Sequence, residues 1–406
     1  MACIIRLTDG SFPDPHKNYN KGEIMVNKGL VQTVLGPVEP EELGLTLPHE
    51  HVIVDMTLGA CSSEMLIDTT ESGKAAASTP EAGWEPGEGG PGTAASYRAK
   101  WNQPICLENR ADVARNWFYY GMYRTTSIED VIYEANLFKR HGGGCLVDQT
   151  PIGLSRDPCG LQQVSRATGV HLVMATSYYT NEYHPPEVAD MKIGGVQQRI
   201  MRDLEEGVAS GVRAGIIGEV GLCANMHPDE EKVLRASARA QRASGVALSI
   251  HPGWGPDAIW EAVRIVEEEK ADLSRTIMCH VDHRLASKPG PNSFDPEPFL
   301  ELAKTGMYLS FDCFGWEESY RQRGKVDVPN DAIRLNEIMA LVEAGHESRI
   351  LMSHDIALQH WHRKYGGHGW QHIPETVTAL MRYKGFDEGL IEKILYKNPQ
   401  EMLTIA

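Results

Sequence analysis

The sequence predicts an α/β fold, a closed (β/α)8 barrel, on three observations. Short apolar, β-branched runs alternate with amphipathic helical patterns, the mark of parallel βαβ units. These runs number eight, the count that closes a barrel and leaves no strand over. Histidines and carboxylates stand at their C-terminal ends, on the face where such barrels do chemistry.

In chain order, residues 1–30 are polar and irregular and read as an N-terminal extension; the barrel is expected to occupy 31–406 as one domain. Val31-Gln-Thr-Val-Leu-Gly-Pro-Val38 suits a short hairpin lying across one barrel end. The first core strand spans Leu45 to Val54 and contains His49-Glu-His51. Residues i and i+2 of a strand share a face, so the two imidazoles can lie side by side. Segment 59–101 is rich in Gly, Ser, Ala, Glu and Pro and is expected to be a loop insertion. Because it leaves the end of the His-x-His strand, it reads either as a solvated excursion or as a lid.

The regular pattern begins at Ser127, a helix cap followed by acidic residues and an apolar stripe that stops at Gly142-Gly-Gly144. Seven more strands follow, each led by a helix: Cys145–Asp148, Val170–Thr176, Ala214–Val220, Val246–His251, Thr276–His280, Met307–Asp312 and Arg349–Asp355. Two closing helices, about 371–383 and 387–403, can cover the last crossover.

Composition narrows the function. The 406 residues carry a formal net charge of −16, which argues against nucleic acid or an anionic membrane as a partner. It leaves room for a small anionic substrate in a locally cationic site. No apolar run approaches the length of a membrane span. The eight cysteines are scattered without a Cys-x-x-Cys, which fits reduced thiols and a cytoplasmic protein.

The candidate ligands are His49 and His51 on the first strand, Glu219 on the fourth, His251 on the fifth, His280 on the sixth and Asp355 on the eighth. Any one of them has an ordinary structural explanation. Together they make four imidazoles and two carboxylates, too many for one tetrahedral zinc and enough for two ions sharing a carboxylate. The mixed nitrogen and oxygen set suits Zn²⁺, and Mn²⁺, Fe²⁺ or Co²⁺ also fit. In such a site Asp355 is the expected catalytic residue, ordering a hydroxide held between the ions and passing its proton to the leaving group. His354, next to it, should point the other way and be structural.

Several stretches occur in the order of a known family. They are Val31-Gln-Thr-Val-Leu-Gly36, Leu47-Pro-His-Glu-His51, Gly215-Ile-Ile-Gly-Glu-Val-Gly221, Ser249-Ile-His-Pro-Gly253, His280-Val-Asp282, Ser353-His-Asp-Ile356 and Lys364-Tyr-Gly-Gly-His-Gly369. Over 31–406 the chain resembles the phosphotriesterase family of the amidohydrolase superfamily. The resemblance implies a metal-dependent hydrolase with His49, His51 and Asp355 on the more buried ion, His251 and His280 on the more exposed one, and Glu219 bridging. Glu219 stands where the best-known members carry a carbamylated lysine, which points to the phosphotriesterase-related subgroup. That subgroup implies amide hydrolysis of small N-acyl substrates such as N-acetyltaurine. Lactone or phosphotriester hydrolysis on the same site is the alternative.

Tyr179 falls where lactonase members place a tyrosine beside the substrate, but Cys313 falls where they carry an arginine. Arg284, just past His280, suits an anionic group of the substrate. The resemblance further implies a homodimer.

Overall fold

The computed structural model describes residues 27–57, 103–115, 120–209, 211–285, 295–317 and 328–406. The expected insertion at 59–101, and with it the lid reading, lies outside the described residues, as does most of the N-terminal extension.

A hairpin comes first, β1 (Val31–Thr33) paired antiparallel with β2 (Gly36–Val38). The barrel strands are β3 (Leu45–Glu50), β6 (Gly143–Asp148), β7 (His171–Thr176), β8 (Ile216–Gly221), β9 (Leu248–His251), β10 (Thr276–Met278), β11 (Tyr308–Phe311) and β12 (Ile350–Met352). They form one eight-stranded sheet in chain order, every neighbouring pair parallel. The last gap, between β12 and β3, is closed just past the strand ends. There the Asp355 N–H donates to the His49 carbonyl (3.1 Å) and the His49 N–H donates to Ser353 Oγ (3.1 Å).

Side-chain caps and glycines bound the crossover helices. Ser127 Oγ accepts from the Asp130 N–H at the start of the helix Ile128–Arg140, and Asp157 accepts from Gly160 at the start of Pro158–Thr168. Gly169 and Gly245 end their helices in the left-handed conformation that glycine adopts without penalty. The inner cluster collects side chains from most of the barrel strands, among them Cys145, Val147, Val173, Ala175, Ile216, Ile277 and Leu351. Val31 and Leu43 from before β3 and Met402 and Leu403 from the last helix close its lower end. The barrel is therefore a packed core, and space for chemistry remains only at the other end.

Strand ends differ from expectation: the sixth and eighth strands stop at Met278 and Met352, short of His280 and Asp355, and the first departs most. The first barrel strand stops at Glu50; Val54–Asp55 (β4) turns away to pair antiparallel with Arg124–Thr125 (β5). Two side-chain bonds explain the departure. The Val52 N–H donates to Asp148 Oδ1 (2.8 Å) instead of the ladder, and Arg124 Nε holds Asp55 (2.9 Å).

Candidate metal centre

Simple alternation does not deliver the two histidines to the mouth. Leu47 packs in the outer cluster against the helices, so strict alternation would turn His49 outward too. The register with β6 shifts between Leu47 and Glu50, and this irregularity, next to Pro48, re-aims His49 and His51 toward the barrel axis. On β8, Gly218 has φ +134, and a Cβ there would lie 2.5 Å from the Ser249 carbonyl oxygen. Only glycine fits in front of Glu219. His280 and Asp355 follow their strands with φ +56 and +53, left-handed values that L residues adopt at a cost.

All six expected ligands meet at the rim. His51 Nε2 lies 3.2 Å from Glu219 Oε1 and 3.2 Å from Asp355 Oδ1. His49 Nε2 lies 3.4 Å from Glu219 Oε2 and 3.5 Å from Asp355 Oδ1. The same Glu219 Oε2 is 3.0 Å from His251 Nδ1 and 3.4 Å from His280 Nε2. The triads His49/His51/Asp355 and His49/Glu219/His280 each bring donor atoms within 4.8 Å of one another. The side chains of His49 and Glu219 are 1% and 2% exposed, against 10% for Asp355 and 14% for His251. Asp355 and His251 thus lie nearest the mouth, with His49 and Glu219 behind them.

The groups behind the imidazoles fix which nitrogen faces inward. Thr150 Oγ1 donates its one proton to Asp148 Oδ1 (2.8 Å), so at 3.0 Å from His51 Nδ1 it accepts, and the His51 proton sits on Nδ1. Asp312 stands behind two rings: its Oδ1 accepts from His280 Nδ1 (2.7 Å), while its Oδ2 lies 3.0 Å from His49 Nδ1 without the geometry of a hydrogen bond. In His51 and His280 the inward nitrogen is Nε2, the arrangement that a hydrogen-bond partner behind a histidine imposes on a metal ligand. The buried His49 Nε2 has no hydrogen-bond partner among the described residues. His251 is turned the other way, with Nδ1 inward and Nε2 3.0 Å from the Arg284 guanidinium. Asp312, Thr150 and Asp148 were not singled out from the sequence. The one available signal was Asp312 at the C-terminal end of an apolar strand run.

Electrostatics describe a site that demands positive charge. Burial pushes the Glu219 carboxyl up, but the imidazoles of His251 and His49 and hydrogen bonds from His251 and His280 outweigh it and hold it well below the usual range. Burial works to lower His51, yet hydrogen bonds to Asp355 and Glu219 raise it to about 10. His280 is raised to about 9 in the same way, burial being overcome chiefly by Asp312. Protons on these rings supply the charge that divalent cations would bring. Burial drives His251 down to about 3, so this ring is neutral. Inward donor atoms, fixed tautomers and unmet negative charge all fit divalent metal.

The remaining predicted residues fall close by. Tyr179 Oη is 3.3 Å from His251 Nε2. Arg284 is buried, and its guanidinium stacks 3.9 Å from the Trp254 ring centre. Cys313 is buried with Sγ 3.2 Å from His283 Nδ1 and offers no cation to the mouth. His354 donates from Nδ1 to Glu50 (2.8 Å) and accepts the Ile373 N–H at Nε2 (3.1 Å), so neither nitrogen is available to carry a proton.

A parallel (β/α)8 barrel with imidazoles and carboxylates converging at its C-terminal rim defines the class: an enzyme barrel built to hold metal at its mouth. The particular assignment follows from comparison. The phosphotriesterase family matches residues 29–403, and the chain belongs to this family of metal-dependent hydrolases. It is 34% identical over 380 residues to N-acetyltaurine hydrolase of Homo sapiens, covering 93% of this chain and 98% of that protein. The phosphotriesterase-related protein of Nematostella vectensis is 32% identical over 384 residues, with 93% and 99% covered. Among solved structures, a resiniferatoxin-binding protein from Rhodobacter sphaeroides is similar at TM-score 0.80 and 29% identity, with 94% of this chain and 98% of that one covered. A lactonase from Listeria monocytogenes shares the fold, at TM-score 0.66, 21% identity and coverage of 93% and 99%.

Proposed function

We propose that this hydrolase cleaves the amide bond of a small N-acyl substrate with an anionic head, N-acetyltaurine being the substrate for which its relatives are named. Of two divalent ions, one would be held by His49, His51 and Asp355 and the other by His251 and His280, with Glu219 available to both. The donor set favours zinc. The observation that carries this reading is the pinning of the His51 and His280 Nδ1 protons outward, which aims Nε2 at Glu219.

Two divalent ions there would lower the pKa of water and polarise the scissile carbonyl. The chain's own groups do the rest. Asp355 sits on the rim beside His51 and takes the proton of the attacking water, then returns it to the departing amine. The Arg284 fork, stiffened by Trp254, holds the sulfonate or carboxylate of the substrate. The Tyr179 hydroxyl, beside His251, orients the acyl group. Cysteines that are free wherever described support a reducing compartment, the cytoplasm.

A second reading, lactone or phosphotriester hydrolysis, is favoured by Tyr179 alone and opposed by the buried Cys313. Zinc-loaded protein assayed on N-acetyltaurine, an acyl lactone and an aryl phosphotriester separates the two. Turnover on the amide is expected; a rate confined to the lactone or phosphotriester would replace the amide reading.

A further inference from the structure

Glu50 stands between His49 and His51 and is fully buried, yet its carboxylate faces away from the metal centre. A charge so placed persists only with every oxygen satisfied. Its Oε1 accepts from Ser353 Oγ (2.8 Å), the His354 N–H (2.9 Å) and His354 Nδ1 (2.8 Å). Its Oε2 accepts from the Ile356 N–H (3.0 Å). His354 and Ile356 flank Asp355, so one carboxylate grips the backbone on both sides of that residue.

The grip extends to the neighbouring histidine. Ser353 Oγ, which donates to Glu50, accepts the His49 N–H (3.1 Å), and the Asp355 N–H donates to the His49 carbonyl (3.1 Å). His354, bound to Glu50 at one nitrogen and to the Ile373 N–H at the other, ties the assembly to the C-terminal segment. Asp355 itself has φ +53, a conformation that lasts only where the surroundings over-determine it.

We propose that Glu50 is a positioning residue: it joins the ends of β3 and β12 and sets the Asp355 carboxylate against His49 and His51. The proposal rests on the reading of those three residues as one ligand group and of Asp355 as the proton carrier. It explains why an acid stands inside the His-Glu-His motif. All four partners are donors, so an amide would turn its NH2 toward one of them, and an aspartate is a methylene too short to reach both sides.

The test uses the full chain loaded with zinc, and Glu50→Gln, Asp355→Asn and their double variant. Metal affinity is read by competition with a chromophoric chelator, alongside kcat, KM and thermal midpoint. Glu50→Gln should lower kcat and the affinity for one ion by about 10- to 100-fold, the usual cost of losing a partner behind a ligand. KM should stay near wild type, and the loss should largely vanish in the Asp355→Asn background, because the two residues act as one unit. A folded Glu50→Gln with wild-type affinity and kcat overturns the proposal, and so does full additivity with Asp355→Asn. If Glu50→Gln does not fold, Ser353→Ala, which removes one of the four bonds, should show the same coupling at smaller size; its absence there overturns the proposal equally. A wild-type chain that binds no metal removes the site reading and this inference together. Wild-type binding with an unaffected Glu50→Gln removes this inference alone.

Discussion

The floor and the mouth of the barrel are made by the same eight strands and differ in almost everything else. At the floor, Val31, Leu43, Met402 and Leu403 close over Val147, Val173, Ile216 and Leu351, an apolar contact among segments far apart in the chain. At the mouth, His49, Glu219, His280 and Asp355 stand at or just past strand ends, two of them with positive φ. The floor contributes stability through burial and tolerates anything apolar of the right volume. The mouth holds strained backbone and crowded carboxylates that only a matching set of partners can maintain. A strand can therefore serve stability at one end and chemistry at the other, and variants should separate the two.

The largest expected effect is at the mouth. Asp355→Asn should lower kcat by about 10²–10⁴-fold, the range for loss of a general acid–base, while urea or thermal unfolding changes little. At the floor, Leu403→Ala should do the opposite. Deleting this buried side chain should cost about 2–5 kcal/mol of stability, measured by denaturant unfolding, with kcat per folded molecule unchanged. A floor variant that alters kcat, or a mouth variant that only lowers stability, would erase the distinction between the two ends.

Arg284→Met sharpens the comparison within the mouth. A charge-assisted hydrogen bond is worth about 1.5–3 kcal/mol, so KM for an N-acyl substrate with an anionic head should rise about tenfold or more. A neutral N-acyl amide of the same size should be hydrolysed as by wild type. Equal losses on both substrates would assign Arg284 to structure.

The smallest effect concerns the wall behind the mouth. Asp331 accepts from the Gly315 N–H (2.9 Å), Arg334 (3.0 Å) and His372 (2.7 Å). Burial raises its carboxyl, but the His372 hydrogen bond and the Arg334 charge hold it below its ordinary value of 3.8. A carboxyl depressed in the folded state stabilises above that value, and the contribution is lost as pH falls through the lower folded value. Asp331→Asn should therefore show a shallower loss of stability below about pH 4 than wild type, measured by unfolding at stepped pH.

The barrel was legible in the sequence because buried parallel strands are short apolar runs, and signals such as the Ser127 cap punctuate the helices between them. The six rim residues were legible because the strand ends name the catalytic face. The shift at Pro48 was not, since alternation alone gives both histidines one face and says nothing of which. Proline inside a central strand was its only mark. Asp312, Thr150 and Glu50 were missed for a different reason. Their partners lie far away in the chain, Glu50 and Ser353 being 303 residues apart, and such contacts leave no local spacing to read. Arg284 was expected near the site, but its burial against Trp254 depends on packing that no motif encodes.

The central claim is that six side chains from five strand ends grip a pair of ions. Anomalous diffraction at the zinc edge, from crystals of zinc-saturated protein, tests it most directly. Two peaks are expected, one among His49, His51 and Asp355 and one beside His251 and His280, with Glu219 between them. A rim without anomalous density under saturating zinc would contradict the account.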